Sequence, residues 1–221
     1  MAVDPFAAQR AEMVTRQIEQ RGVTDPRLLE AMRSVPRHVF VPEDQRFMAY
    51  DDCPLAIGSG QTISQPYIVA LMTNLLHLQG EENVLEIGTG SGYQAAVLSH
   101  LARFVHTVER FAALAVGARR LLKALHCKNV SVRTGDGTLG WPAAAPYQSI
   151  LVTAAAPAPP PPLLAQLADG GRLVLPVGGR GGQILQVWQR QGDAYSHEDV
   201  SYVSFVPLRG AHGWNEVNWD Y

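Results

Sequence analysis

The sequence predicts an α/β protein: a doubly wound, mostly parallel sheet with an antiparallel edge and a helical N-terminal extension. Three observations carry that prediction. Between Glu82 and Val177 five short apolar runs alternate with helical patterns; the first run ends in the glycine-rich turn Gly88-Thr89-Gly90-Ser91-Gly92; and the chain before about His77 is charged and helical in texture. Alternation of buried strands with helices is the pattern of a parallel sheet covered on both faces.

In the extension, apolar positions recur at helical spacing over 7–20, and Asp25-Pro26 starts a second helix running to about Ser34. Pro36, Pro42 and Pro54 break the chain that follows into short pieces. Gly58 to Pro66 is turn-rich, and Pro66 near the first turn of a helix reaching about Leu76 makes Ser64 a good N-cap. In the alternating region strands are expected near 83–87, 104–108, 130–134, 149–153 and 172–177, with helices near 93–102, 111–126 and 160–168. From Gln183 two further strands, 184–189 and 200–206, are joined through Gln191-Gly192-Asp193 and should close one edge of the sheet in antiparallel fashion. The expected organisation is therefore 1–78 as the extension carrying the Gln61 to Ser64 segment, 79–210 as the Rossmann-like domain, and 211–221 as a tail.

The chemistry is concentrated at strand ends. A strand, tight turn and helix start hold the polar end of a nucleotide-like cofactor at the carboxyl edge of an open sheet. Here the glycines fall at every second position, Gly88, Gly90 and Gly92, and Tyr93 stands where a dinucleotide fingerprint needs its third glycine. That disfavours a nicotinamide-dependent dehydrogenase. Glu86, two residues before the first glycine, is placed to organise the loop and reach the amino group of a methionine-like tail. The next strand ends at Glu109, about twenty residues on, where a carboxylate accepts the two hydroxyls of a ribose. Asp136, in Gly135-Asp136-Gly137, stands at the tip of the third strand within reach of an adenine amino group, and a turn-forming role is open beside it.

Composition narrows the function classes. The 221 residues are 47% hydrophobic, enough for a substantial core. A net charge of -2 and a pI near 6.4 leave no electrostatic footprint for nucleic acid. Apolar stretches are interrupted before they would span a bilayer, the N-terminus lacks a secretory pattern, and two distant cysteines point to a reducing cytoplasm. The seven histidines show no ligand spacing, so no metal is expected.

Gly60-Gln61-Thr62-Ile63-Ser64-Gln65-Pro66, then Val84 to Tyr93, Gly135-Asp136-Gly137, Thr153-Ala154-Ala155-Ala156-Pro157 and Pro176-Val177-Gly178 closely resemble the protein-L-isoaspartate O-methyltransferases, within the class I S-adenosylmethionine-dependent methyltransferases. The Val35 to Pro42 segment and Phe205-Val206-Pro207-Leu208 are similar to that family as well. The resemblance implies methyl transfer from S-adenosylmethionine to the α-carboxylate of L-isoaspartyl, and of D-aspartyl, residues in damaged proteins and peptides; the ester then closes to a succinimide that reopens partly to aspartate. It implies that Ser64 is the active-site serine, that Gln61, Thr62 and Ile63 border the methionine end of the cofactor, and that Gly88, Thr89 and Gly90 form the loop beneath it. Glu109 with Arg110 would take the ribose, and Asp136 with Gly137 the adenine. A monomer in the cytoplasm is expected. Gln148, where the family has an aspartate, would remove a structural hydrogen bond, while Ser59 and Arg209 replace residues usual near the site, and the tail from Trp214 has no counterpart. Two other classes stay open: a sister methyltransferase acting on aspartate in one peptide product or on a small carboxylic acid, and a non-catalytic S-adenosylmethionine-binding protein.

Overall fold

The computed structural model describes residues 4–215. Its centre is a seven-stranded sheet whose strands are β3 (Asn83–Ile87), β4 (Phe104–Glu109), β5 (Val130–Thr134), β6 (Tyr147–Val152), β7 (Leu167–Gly179), β8 (Gly182–Gln191) and β9 (Ala194–Val203), in the order β5-β4-β3-β6-β7-β8-β9. The first five run parallel, and β8 and β9 add antiparallel to one edge. The expected fold class is the observed one. Strand order reverses between β3 and β6, so a crevice opens at their carboxyl ends, which is where open α/β sheets bind ligands.

Alternation along the strands splits the core into two. Val84, Val105, Leu151 and Val174 face one side, under α4 (Tyr93–Ser99), α5 (Ala112–Ala124) and the N-terminal extension. Leu85, Ile87, Val108, Ile150 and Leu173 face the other, under the short helix α6 (Pro161–Ala165). The extension joins the first core through Met13, Ile18, Leu28, Met32 and Phe40. Its first helix, α1 (Ala7–Met13), continues through a π turn and a 3-10 turn to Arg21, where Gly22, at φ 93°, ends it. The second, α2 (Pro26–Ser34), starts where expected, with the Asp25 carboxylate accepting the Arg27 N–H and Pro26 at the first position.

Three local expectations change. The run from Gly58 is the turn of a hairpin, β1 (Leu55–Gly58) with β2 (Gln61–Ile63). Ser59 at φ 54° and Gly60 at φ 68° give the two positive φ values of a two-residue hairpin turn. Helix α3 (Pro66–Leu75) begins at Pro66 with Gln65 as N-cap residue, so Ser64 stands one residue outside and caps nothing. Proline's preset φ makes it a first helical residue, which fixes the boundary there. Last, β9 starts at Ala194 instead of 200, directly after the Gly192 turn.

Gln148 makes a structural hydrogen bond of its own, its amide oxygen accepting the Asn83 N–H at 2.9 Å. Of the tail expected from Trp214, residues 216–221 lie outside the described residues. Among the described residues no helix is long and apolar enough to cross a membrane, and no cluster of three or more His, Cys, Asp or Glu side chains is arranged to hold a metal ion.

Candidate active site at the switch point

The loop after β3 has its conformation forced on it. Gly88 has φ 96°, and a Cβ there would lie 2.4 Å from Thr153 Oγ1, a distance only glycine tolerates. Thr153, the residue after β6, donates its hydroxyl toward the Ile87 carbonyl (3.1 Å) and the Gly88 carbonyl (2.8 Å), stitching the two central strand ends together. Gly137, in the turn after β5, meets a similar limit: a Cβ would sit 2.4 Å from Ile87 Cγ2.

These strand ends enclose a cavity of about 360 Å³, within the usual range for small-molecule sites of about 300–1,000 Å³. Gly88, Gly90, Glu109, Arg110 and Gly137 line it from the sheet, Gln61 and Thr62 from the hairpin, and 206–209 from the C-terminal segment. Two smaller cavities, about 40 and 50 Å³, adjoin it. Ile63, Thr89 and Tyr93 belong to the first, and Pro54, Ser204 and Phe205 to the second. Thr62, Ser64 and Thr153 line both, so Ser64 stands in the wall between the glycine-loop side and the outer side.

Glu109 is only 4% exposed, and its carboxylate does two jobs already. Oε2 accepts the Gly90 N–H and Oε1 the Phe111 N–H, each at 2.9 Å, so it ties the glycine loop to the start of α5 while facing the cavity. Arg110 lines the same wall.

Two expected residues stand elsewhere. Glu86 lines none of these cavities. Alternation along β3 sends it to the face of Val84, where it is wholly buried beside its register partner Thr107, whose hydroxyl lies 2.6 Å from that of Thr89. Burial pushes the Glu86 carboxyl up to about 8, the Thr107 hydroxyl opposes the shift and the neighbouring Glu109 adds to it. Neither of its carboxylate oxygens has a hydrogen-bond partner among the described residues, so it stands beneath the loop and outside the cavities. Asp136 is also absent from the cavity wall. Its Oδ1 accepts from the Thr138 N–H (2.8 Å) and hydroxyl (2.7 Å), and its Oδ2 from the Ala211 N–H (2.7 Å). The turn-forming reading holds, with an added role: Asp136 fastens the C-terminal segment, which carries Arg209 to the rim. Its carboxyl is held below the usual carboxylate range by those hydrogen bonds, against the opposing effect of burial. Thr153 is the residue that reasoning from strand ends passed over, although its position after the fourth parallel strand was available as a signal.

A sequence model of the protein-L-isoaspartate(D-aspartate) O-methyltransferase family matches residues 8–213. The chain belongs to that family. A protein-L-isoaspartate O-methyltransferase of Methanoregula boonei is 56% identical over 210 residues, covering 95% of this chain and 97% of its own. One from Synechococcus is 55% identical over 94% of this chain and 88% of its own. A solved protein-L-isoaspartate O-methyltransferase superposes with a TM-score of 0.82 at 27% identity, over 92% of this chain and 67% of its own. A Plasmodium falciparum crystal structure bearing the protein-L-isoaspartate O-methyltransferase name, in complex with S-adenosyl-L-homocysteine, has a TM-score of 0.79 at 22% identity, over 90% of this chain and 98% of its own, a likeness of fold. Membership in the family accounts for a match that runs through the extension and the hairpin as well as the sheet.

Proposed function

We propose that this family member transfers the methyl group of S-adenosylmethionine to the α-carboxylate of L-isoaspartyl residues, and of D-aspartyl residues, in damaged proteins and peptides, as a cytoplasmic monomer. The observation that carries the reading is Ser64 in the wall shared by two cavities, next to a larger cavity suited to a nucleoside. The fit to the cofactor rests on the close approaches at Gly88 and Gly137, which leave backbone as the floor, and on the Glu109 carboxylate at the wall, whose remaining lone pairs are suited to ribose hydroxyls. Gln61, Thr62 and Ile63 close over the methionine end, with Arg110 beside the ribose and Gly137 beneath the adenine. The two free cysteines accord with a reducing compartment.

Bound cofactor supplies a methyl group on a positively charged sulfur. The acceptor carboxylate, with an ordinary pKa near 4, is ionised at neutral pH, so the chain needs no general base. Its task is to bring one oxygen in line behind the methyl carbon, which is catalysis by positioning. Opposite charges are neutralised as that bond forms, so an arginine clamp on the carboxylate would favour the ground state over the transition state. The outer cavity accords with this: its lining contains hydroxyl and amide side chains, Thr62, Ser64, Gln65, Thr153 and Ser204, and no charged residue. The Ser64 hydroxyl, which caps no helix, donates to the acceptor and orients it. After release, the next backbone nitrogen displaces methanol from the ester to give the succinimide, and hydrolysis yields aspartate with some isoaspartate.

The test is the product. With labelled S-adenosylmethionine and an isoaspartyl peptide, the account predicts a base-labile methyl ester and recovery of the aspartyl peptide on prolonged incubation. A base-stable label, or none with a folded protein that binds S-adenosyl-L-homocysteine, overturns it.

A further inference from the structure

We propose that Asp52 is a positioning residue: it caps α3 from outside the helix, and so leaves the Ser64 hydroxyl free and fixes where it stands. This rests on the reading of Ser64 as the group that orients the acceptor. The amides of a helix's first turn need acceptors, and Ser, Asp or Asn beside the helix ordinarily supplies one. At α3 neither Gln65 nor Ser64 does so, and Pro66 has no N–H to offer. The Tyr67 N–H is instead taken by Asp52 Oδ1 at 3.2 Å, from fifteen residues upstream.

Asp52 is itself held. Its Oδ2 accepts from the Arg21 guanidinium at 2.7 Å, and the same guanidinium lies 3.3 Å from the centre of the Tyr67 ring. Arg21, Asp52 and Tyr67 form a closed triangle, joining the end of the first helical run, the approach to β1 and the first turn of α3. A carboxylate also suits the positive end of the helix dipole. On the other side of Ser64, Ile63 is paired with Leu55, three residues after Asp52. The short segment carrying Ser64 is thus anchored at both ends, by the hairpin and by the carboxylate. Were Ser64 the cap, its oxygen would be turned to the helix.

The Arg21 and Asp52 side chains retain 43% and 28% of their exposure, so the pair adds little to stability. A misplacement of about 1 Å, in contrast, lowers a positioning-dependent rate on the order of a hundredfold.

The experiment is steady-state methylation of an isoaspartyl peptide by the full chain carrying Asp52→Ala, Asp52→Asn, Ser64→Ala and the Asp52→Ala/Ser64→Ala pair, with S-adenosyl-L-homocysteine titrated by calorimetry into each. Asp52→Ala should lower kcat about ten- to a hundredfold with unchanged S-adenosyl-L-homocysteine affinity. Asp52→Asn should recover part of the loss, because its amide oxygen still accepts the Tyr67 N–H while its NH₂ group can no longer accept from Arg21. In the Ser64→Ala background Asp52→Ala should change nothing further, since residues that act as a unit are not additive. Should Asp52→Ala fail to fold, Arg21→Gln, which loosens the carboxylate without removing it, takes its place, with a smaller loss of kcat that again vanishes in the Ser64→Ala background. Full activity of Asp52→Ala, independent multiplication of the two losses, or an equal loss of S-adenosyl-L-homocysteine affinity overturns the proposal. Wild-type turnover by Ser64→Ala instead overturns the reading of Ser64, which removes the foundation for Asp52.

Discussion

Replacing Glu109 by Gln separates its two tasks at the cavity wall. The glutamine keeps the size of the side chain and one acceptor oxygen. Its NH₂ group, however, must then face either the Gly90 N–H or the Phe111 N–H, each of which now sits 2.9 Å from a carboxylate oxygen. A hydrogen bond to a charged group is worth about 1.5–3 kcal/mol net, so losing one in the glycine loop should weaken cofactor binding by about ten- to a hundredfold. Glu109→Ala leaves both N–H groups without their partner and should cost at most about twice that energy, because water entering the cavity replaces part of it. The alanine variant should therefore also melt lower, since a 4% exposed side chain that joins two elements is structural as well as binding. Calorimetric titration of S-adenosyl-L-homocysteine with parallel thermal melts reads both quantities. Wild-type affinity in Glu109→Gln would refute the placement of the ribose at this carboxylate.

Ser64→Ala should melt within about 0.5 kcal/mol of wild type, because no cap is lost, yet fall about a hundredfold in kcat/KM for an isoaspartyl peptide; a stability loss of about 1 kcal/mol with intact turnover would restore the capping role. Gly88→Ala should abolish S-adenosyl-L-homocysteine binding and lower the melting temperature, since φ 96° alone costs about 1–2 kcal/mol before the 2.4 Å approach to Thr153 Oγ1 is counted, and an unchanged melt would contradict the packing. Glu86 makes the ligand-free protein pH-sensitive. Burial raises its pKa from 4.5 to about 8, so the folded state holds the extra proton between those values; the stability is full below that window and is lost as pH rises through it. Glu86→Gln mimics the protonated acid, so its stability gain over wild type should grow as pH rises from about 5 and reach on the order of a few kcal/mol by about pH 8, whereas a difference independent of pH would contradict the burial.

What the sequence made legible was set by local pattern. The five apolar runs, the glycine turn and the acid ending β4 are each readable within one strand and its turn, and all fall where the structure has them. Partners distant in sequence were not readable. Asp136 finds its acceptor role with Ala211, 75 residues away, and no feature of Gly135-Asp136-Gly137 announces it. Glu86 failed as a cavity residue on parity: two residues before a glycine that turns into the site, it shares the face of Val84, and a motif position does not state a face. The hairpin β1–β2 was hidden because its strands are four and three residues long, too short for alternation to register. The cap of α3 was misplaced by one residue because Asp52, which takes the first-turn N–H, comes from another segment. The N-terminal half of β9 is exposed and polar, so hydropathy left it outside a strand, although backbone pairing with β8 runs through it from Ala194.

The central claim is that shape at Ser64, and not charge, selects the acceptor. Two peptides of one sequence, differing only in whether a single residue is isoaspartyl or aspartyl, have equal charge and composition, so electrostatics cannot tell them apart. In the isoaspartyl form the acceptor carboxylate sits on the α-carbon, while the chain runs through the side-chain carbon. Measuring kcat/KM for both twins with labelled S-adenosylmethionine, over several flanking sequences, should give at least about a hundredfold preference for the isoaspartyl form, as expected when about 1 Å of misplacement decides the rate, with far smaller effects of the flanks. Equal methylation of the twins, or activity confined to one flanking sequence, would contradict the account and favour a methyltransferase dedicated to a particular peptide product.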